Sequence, residues 1–561
     1  MKTIVRLYNV LVCCCIAATF TLIPAACDNY LDVLPDNRTE IDSESKIQKL
    51  LVSAYLTRDP LYVAEMMSDN VDDYGSDNPN TIRFADQLYA WQDVTENNNQ
   101  SPENFWEECY SNIATANAAL EAIEEIGGAT TTKLKQYKAE ALLCRAYAHF
   151  MLVNLFSQAY RKTDADSQLG IVYMTATAPT LDINPDRPSV AEVYRLIDKD
   201  LQEALPLVGS DYQVPSYHFN QRAAYAFAAR FYLYYEQWDR AIDYASRCVG
   251  AAPQAMLRDW QYTSTMTRDW NAISQHYIDA SLNCNLLLLT SYSYMGLVFG
   301  PYRYLSKYSH GKYLAEHEDG EALNIWGSDV FFMGMNTYSA TNLDKTIFWK
   351  LPYLFEYVDA VAGTGYYRTV YPAFTTDECL LNRAEAYVLK GDYVKAAADL
   401  TTWMQNIVQT DLVLTPELIA EFYNSVDYSY SDPRGIESTI KKHLNPAFDI
   451  GPEGGMKEAM LQCVLGFRRI ETLQTGLRWY DIKRYGIEVV RRVMNASGQP
   501  ERRTDVLTVD DLRRAVQIPL RARRTSEHDG VEPNPRSTTE PRIDGKDLSG
   551  QSLEPIKTPQ L

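Results

Sequence analysis

Metal and nucleophile chemistry have little to draw on in this chain. Histidine is scarce, seven in 561 residues, and no two stand at the spacing that ligates a metal. There is no H-E-x-x-H, no G-x-S-x-G, no P-loop and no G-x-G-x-x-G opening a helix with a distant acid. Zinc hydrolysis, serine hydrolysis and the usual nucleotide sites therefore have no motif to stand on. Positive charge is also short: 53 Lys and Arg against 73 Asp and Glu give a net charge of −20. That balance repels phosphate backbones and excludes nucleic acid as a partner. Of the ten cysteines, Cys13, Cys14 and Cys15 lie in the N-terminal apolar segment and Cys27 ends it. The remaining Cys109, Cys144, Cys248, Cys284, Cys379 and Cys463 form no C-x-x-C pair, and most sit in apolar helical stretches such as Ala141-Leu142-Leu143-Cys144. They read as buried thiols, not as a disulfide framework. A transmembrane span has one candidate, the uncharged run Leu7 to Ala26, which is marginal for the roughly 20 residues a span requires.

That run reads better as a processing signal. Lys2 and Arg6 supply a positive start, Val10 to Ile23 an apolar stretch, and Ala25-Ala26 the small residues a signal peptidase cuts after. A plain secretory peptide is cut wherever such small residues stand. A lipoprotein peptidase needs a cysteine next, and Cys27 stands there as the lipid attachment point. Pro24 departs from the aliphatic residue usual three positions before a lipidated cysteine. Residues 1–26 are thus a lipoprotein-type signal, 27–42 a lipidated tether, and 43–561 a single folded unit.

The composition of that unit, 46% hydrophobic and 22% charged, is globular, and its length admits two to four domains or one large helical array. Helical spacing begins with Ile47, Leu50, Leu51 and Tyr55 between Ser43 and Tyr55. Asp69 to Gln100 is a long Asp-, Asn- and Gly-bearing loop. Two helices follow from Pro102 to Phe156, the first with Trp106, Tyr110, Ile113, Asn117 and Leu120 on one face and Gly127-Gly128 beyond its end. His149 in the second is a packed core histidine. Asn184-Pro185-Asp186-Arg187-Pro188 breaks the chain, and Ser189-Val190-Ala191-Glu192 is a capping box that opens another helix. Ala229, Tyr232, Trp238 and Ala241 recur with identical spacing as Ala384, Tyr387, Tyr393 and Ala396. This internal repeat is similar to tetratricopeptide units, helix pairs that stack because one pair cannot bury its own apolar face. Between the copies, about 253–371, the chain reads as loops and short strands, with the β-like run Leu286 to Leu289 and many aromatics. The protein is therefore mainly α, a tetratricopeptide-like scaffold of helical pairs with an inserted irregular, loop-rich region, ending in a helical block and an irregular tail.

Ordered motifs along the mature chain resemble the RagB/SusD family of outer-membrane nutrient-binding lipoproteins. They are Cys27-Asp28-Asn29-Tyr30-Leu31-Asp32, the helix from Trp106 to Asn117, and Arg187-Pro188-Ser189 with Glu192-Val193-Tyr194 and Asp200-Leu201. Leu381 to Tyr387 follows, then Arg468-Arg469 with Glu471, and Gly476 to Arg484. Gln517-Ile518-Pro519 and Asn534-Pro535 are similar to the family's closing turns. Thr475 stands where the family usually has an acidic residue before the glycine. The resemblance implies four tetratricopeptide-like pairs and an irregular aromatic surface that captures nutrient. It also implies a SusC-like TonB-dependent transporter as partner, and ligands that are commonly oligosaccharides, in some members peptides. Outer-membrane lipid would hold the acylated Cys27, with the protein facing the cell exterior.

A sugar presents a face of C–H groups and a rim of hydroxyls, so its site needs flat aromatics and polar side chains. Trp91, Trp270, Tyr292, Tyr294 and Trp326 fall in the loop-rich segments and are the candidate platforms. Arg468, Glu471, Arg478 and Asp481 read as an ion-pair network on a helical block, not as catalytic groups. Asp69-Asn70-Val71-Asp72-Asp73 has no EF-hand spacing and reads as a solvated loop. The residues point to no cofactor, no metal and no catalysis. A helical lipoprotein scaffold or a glycan-processing enzyme is the alternative to a binding protein.

Overall fold

Side chains cap most of the helices that periodicity predicted. Ser101 accepts from Asn104 N–H ahead of Pro102 at the start of α1 (Pro102–Glu125), and Thr131 accepts from Leu134 N–H to open α2 (Thr132–Phe156). Ser189 accepts from Glu192 N–H to open α3 (Val190–Ala204). The other half of that capping box is diverted, because Glu192 bonds Arg195 instead. Asn220 opens α4 (Gln221–Tyr234), which turns into α5 (Trp238–Val249). Such caps satisfy N–H groups that no helical carbonyl reaches.

The computed structural model describes residues 41–536 apart from 82–83, 178–185, 304, 341–342 and 524–529. The signal, Cys27, the Asn184-Pro185 step, Tyr304 and the tail beyond 536 lie outside the described residues. No described helix is long and apolar enough to cross a membrane.

The region between the repeats is more ordered than its sequence suggested. It holds β1 (Asn285–Tyr292), β2 (Leu354–Asp359) and β3 (Thr364–Thr375), which form one antiparallel sheet with β3 in the centre and β2 at an edge. It also holds short helices, two of which start at an Asp-Trp step. Asp259 accepts from Tyr262 N–H and Asp269 from Ala272 N–H, a capping signal inside text that otherwise reads as loop. Thr375 ends β3 and at once caps α6 (Thr376–Lys390) through Glu378 N–H, so the sheet hands directly back to the scaffold.

α6 turns into α7 (Tyr393–Ile407). The repeat noted in sequence is this pair and α4/α5, and α5 packs on α6. The copies are far apart in sequence but stacked in space. α8 (Pro416–Ser425) and α9 (Met456–Glu471) pack on each other, and α9 packs on α6. With α1/α2 these make four helical pairs, and α10 (Leu477–Arg484) follows. The four alanines of the repeat, Ala229, Ala241, Ala384 and Ala396, are fully buried, as close helix approach requires.

The closing turns of the described chain zip together. Gln517 and Asn534 exchange hydrogen bonds, Gln517 Nε2 to Asn534 O at 2.9 Å and Asn534 N to Gln517 Oε1 at 2.7 Å, while Asn534 Nδ2 reaches Phe156 O at the end of α2. Arg187 joins this segment to the scaffold by donating to Gly170 O at 2.6 Å and Glu532 O at 2.8 Å. All six cysteines from Cys109 onward are free and buried.

Candidate functional site

β2 and β3 as far as Arg368 form a hairpin whose side chains are exposed or half-buried, while β3 beyond Val370 enters the core with Tyr371, Ala373 and Phe374. Antiparallel pairing sets Phe355 opposite Tyr367, Glu356 opposite Tyr366 and Leu354 opposite Arg368, and paired residues share a face of the sheet. One face therefore carries Tyr353, Phe355, Tyr357 and Tyr367. Their rings form a chain with Tyr302 and Tyr294: Tyr302 to Tyr353 at 4.5 Å, Tyr353 to Tyr367 at 5.7 Å, Phe355 to Tyr357 at 4.9 Å and Tyr294 to Tyr367 at 5.6 Å between centres. The other face carries Tyr292 and Tyr366 edge to face at 5.4 Å. Arg368 lies over the Tyr292 ring at 4.0 Å and pairs with Glu356. Tyr357 is 61% exposed, Tyr366 44% and Tyr302 38%. Tyrosine exposed to this degree offers a ring for stacking and a hydroxyl for bonding at once.

Two of the five candidate platforms lie at this sheet: Tyr292 belongs to it, and Tyr294, just beyond the end of β1, packs on the opposite face against Tyr367. The three tryptophans do not. Trp91 is 2% exposed; its indole donates to Met67 O at 2.8 Å and Arg491 covers its ring at 4.2 Å. Trp326 is wedged against Phe331 and Phe467. Trp270 packs 6.1 Å from Trp349 in a satellite core with Trp260 and Ile273. Their large apolar areas are buried in the body, and no ring face is left for a ligand. Tyr353, Phe355, Tyr357, Tyr366 and Tyr367 are the residues that sequence reasoning passed over. A signal was present in the aromatic run between Tyr353 and Tyr367 around Gly363-Thr364-Gly365, a hairpin spacing.

The charged residues of the helical block are structural. Arg468 donates to Asp481 at 3.0 Å with both side chains wholly buried. Glu471 accepts from the Trp403 indole at 2.9 Å, and Arg478 pairs with Asp69 at 2.8 Å. The Asp69 to Asp73 cluster is not a solvated loop. Its side chains are buried, Asp72 is bound to Arg492 at 2.8 Å, and Asn70 donates to Glu65 at 2.9 Å. Cations from the far end of the chain meet these carboxylates, which is why the local sequence looked hydrophilic. Among the described residues no group of His, Cys, Asp and Glu is arranged to hold a metal ion. At Thr475, Glu65 supplies the carboxylate, accepting from Gln474 N–H at 3.0 Å and Gly476 N–H at 3.2 Å. His149 is the packed histidine expected, with Nδ1 on Arg145 O at 2.8 Å and Nε2 accepting from Met174 N–H at 3.0 Å.

A family described as "Starch-binding associating with outer membrane", SusD-like, matches residues 29–233. A SusD-like protein, P38, of Formosa agariphila is 30% identical over 237 residues, 38% of this chain and 41% of that protein. The match thus spans less than half of that relative. A putative sugar binding protein from Bacteroides vulgatus has the same fold with a TM-score of 0.61 at 19% identity, covering 89% of this chain and 99% of that one. A SusD superfamily protein from Bacteroides thetaiotaomicron gives 0.57 at 17% identity, covering 88% and 100%. The family match takes in the first helical pair and runs into α4, and the helical-pair fold that continues beyond it is the one these solved structures share.

Proposed function

We propose that this protein is a lipid-anchored surface receptor that captures oligosaccharide on the aromatic hairpin face and passes it to a SusC-like TonB-dependent transporter, without chemical change. One observation carries the reading: a row of half-exposed tyrosines on the exposed hairpin end of a sheet whose other end is buried in the core. The family description as starch-binding and outer-membrane associated supports it, as does the printed name of the sugar-binding neighbour. Cys27 would carry the acyl chains after cleavage of 1–26, with 27–42 as tether and 43–561 as one folded unit facing outward. Arg468, Arg478 and Asp481 are buried in ion pairs and Glu471 is buried against the Trp403 indole, which leaves them no access to a substrate.

The test is a binding screen of the mature chain in detergent against immobilised glycans and peptides, with product analysis on each hit. Saturable glycan binding with unchanged ligand is expected. Stacking on one ring contributes on the order of 1 kcal/mol, so Tyr357→Ala or Tyr366→Ala should weaken binding by about tenfold at most each. Binding of peptides alone, or cleavage of the glycan, would overturn the reading.

A further inference from the structure

The chemical class of the ligand follows from one side chain, and the inference rests on the hairpin reading above. Most cations around the aromatic face are already engaged. Arg368 pairs with Glu356 and Lys307 with Asp86. Arg58 donates to Asn99 Oδ1 at 2.8 Å. Lys345 is ringed by the carbonyls of Val298 at 2.6 Å, Gly300 at 3.2 Å and Arg303 at 2.6 Å. Arg303 differs from all of these. Arg303 is a half-buried residue whose carbonyl is pinned by Lys345, yet its guanidinium makes no hydrogen bond or ion pair with any described residue.

The surroundings of that guanidinium are aromatic. Its charge acts on the phenols of Tyr62, Tyr294 and Tyr353, and it follows Tyr302, whose ring lies 4.5 Å from Tyr353. The acidic groups whose charge acts on these rings are Asp86 on Tyr62, Glu96 on Tyr294 and Asp269 on Tyr302. Asp86 is paired with Lys307 and Asp269 is occupied in capping its own helix, and none of the three acids bonds Arg303. A guanidinium is a planar fork of donors that fits a carboxylate or sulfate with two parallel bonds. Given no internal acceptor, it is open to an anion brought from outside. The chain as a whole, at −20, does not attract anions, so such recognition is local to this point.

We propose that the face takes an acidic oligosaccharide whose carboxylate or sulfate ester is received by Arg303 while its sugar rings lie on Tyr302, Tyr353 and Tyr357. The two anions share the chemistry of an oxyanion on a sugar ring.

The experiment is titration calorimetry of the mature chain in detergent with three oligosaccharide sets of matched length: neutral, uronic-acid-bearing and sulfated. Each is run on wild type, Arg303→Gln, Arg303→Lys and Tyr357→Ala. The expected result is at least tenfold tighter binding of one acidic set than of the neutral one, lost in Arg303→Gln and partly kept in Arg303→Lys. Which acidic set binds tells carboxylate from sulfate. Arg303 has no side-chain partner, so its variants should melt with wild type, and a matched thermal melt verifies that loss of binding is not loss of fold. Neutral glycans that bind as well as acidic ones, or acidic binding indifferent to Arg303→Gln, would overturn the inference. If such binding still falls in Tyr357→Ala, the capture reading stands without it. Absence of binding by every set would remove both.

Discussion

His149 is fixed in its neutral form by what surrounds it. Its Nε2 accepts from Met174 N–H, and its ring stacks on Tyr173 with centres 3.7 Å apart, so a second proton would face a donor in a buried site. Burial pushes its pKa down to about 3 from 6.5. The unfolded chain takes up that proton below about 6.5 and the folded chain does not, so the unfolded state binds more protons through this window. Stability supplied by His149 is therefore complete above pH 6.5 and is lost as pH falls toward 3, at about 1.4 kcal/mol per pH unit. Denaturant titrations from pH 7 to 4 should show His149→Gln less stable than wild type at pH 7, with the difference shrinking as pH falls. A constant difference would mean that the imidazole does not titrate in this way. The histidine's role was legible because it lies inside a long apolar helical run. The tryptophans were misread for the opposite reason. Flat area makes Trp the best sugar platform, but the same area makes it the first side chain a large core buries. Sequence at Trp91 and Trp326 holds both possibilities, and only the packing partners, Arg491 for one and Phe467 for the other, separate them.

Helix pairs were the most legible element, because their turn is encoded twice. The position seven after the first repeat alanine is Glu236 in α4/α5 and Gly391 in α6/α7, and both are left-handed, φ 57° and 83°. Such a backbone costs a residue with a side chain about 1 kcal/mol that glycine escapes. A Cβ on Gly391 would meet no atom within 4 Å, so Gly391→Ala should destabilise by about 1 kcal/mol through the backbone alone, read as a lowered urea midpoint with unchanged slope. The ends of other helices were not legible. Lys483 donates to Asn154 O at 2.5 Å and Ser157 O at 2.6 Å at the end of α2, and Lys350 to Ile470 O at 3.2 Å and Glu471 O at 2.5 Å at the end of α9. Each ammonium satisfies carbonyls that no helical N–H reaches, from more than one hundred residues away, a distance at which local pattern carries no signal. Lys483→Met leaves those carbonyls buried and unmet, so a loss of about 1–3 kcal/mol is expected in thermal melts. The hairpin was hidden differently, since aromatics on both of its faces erase the alternation of polar and apolar residues that marks a half-buried strand.

Across the whole molecule, one buried ionic network binds three distant parts of the chain. Asp69 and Asp72 come from the N-terminal segment, Glu318 from the insertion, and Lys442, Arg469, Arg478 and Arg492 from the C-terminal block. Glu318 meets Arg469 at 2.6 Å, Lys442 at 2.6 Å and Arg492 at 3.1 Å. Burial by itself would raise the pKa of Glu318 and Asp69, but the surrounding cations outweigh it and hold both carboxyls well below their ordinary range. Their contribution is therefore present above the unfolded value near 4 and is lost as pH falls below it. Removing one member of such a cluster leaves the others charged, buried and uncompensated, which costs roughly 3–5 kcal/mol. Glu318→Gln should thus lower stability at pH 7 by about that much in urea unfolding, and lose less than wild type between pH 4 and 3. The control is Asp243→Asn, which breaks a pair with Arg247 that is about half exposed on both sides and should cost under about 1 kcal/mol. Equal effects of the two variants would mean that the network is not what holds the insertion, and with it the hairpin face, against the helical pairs.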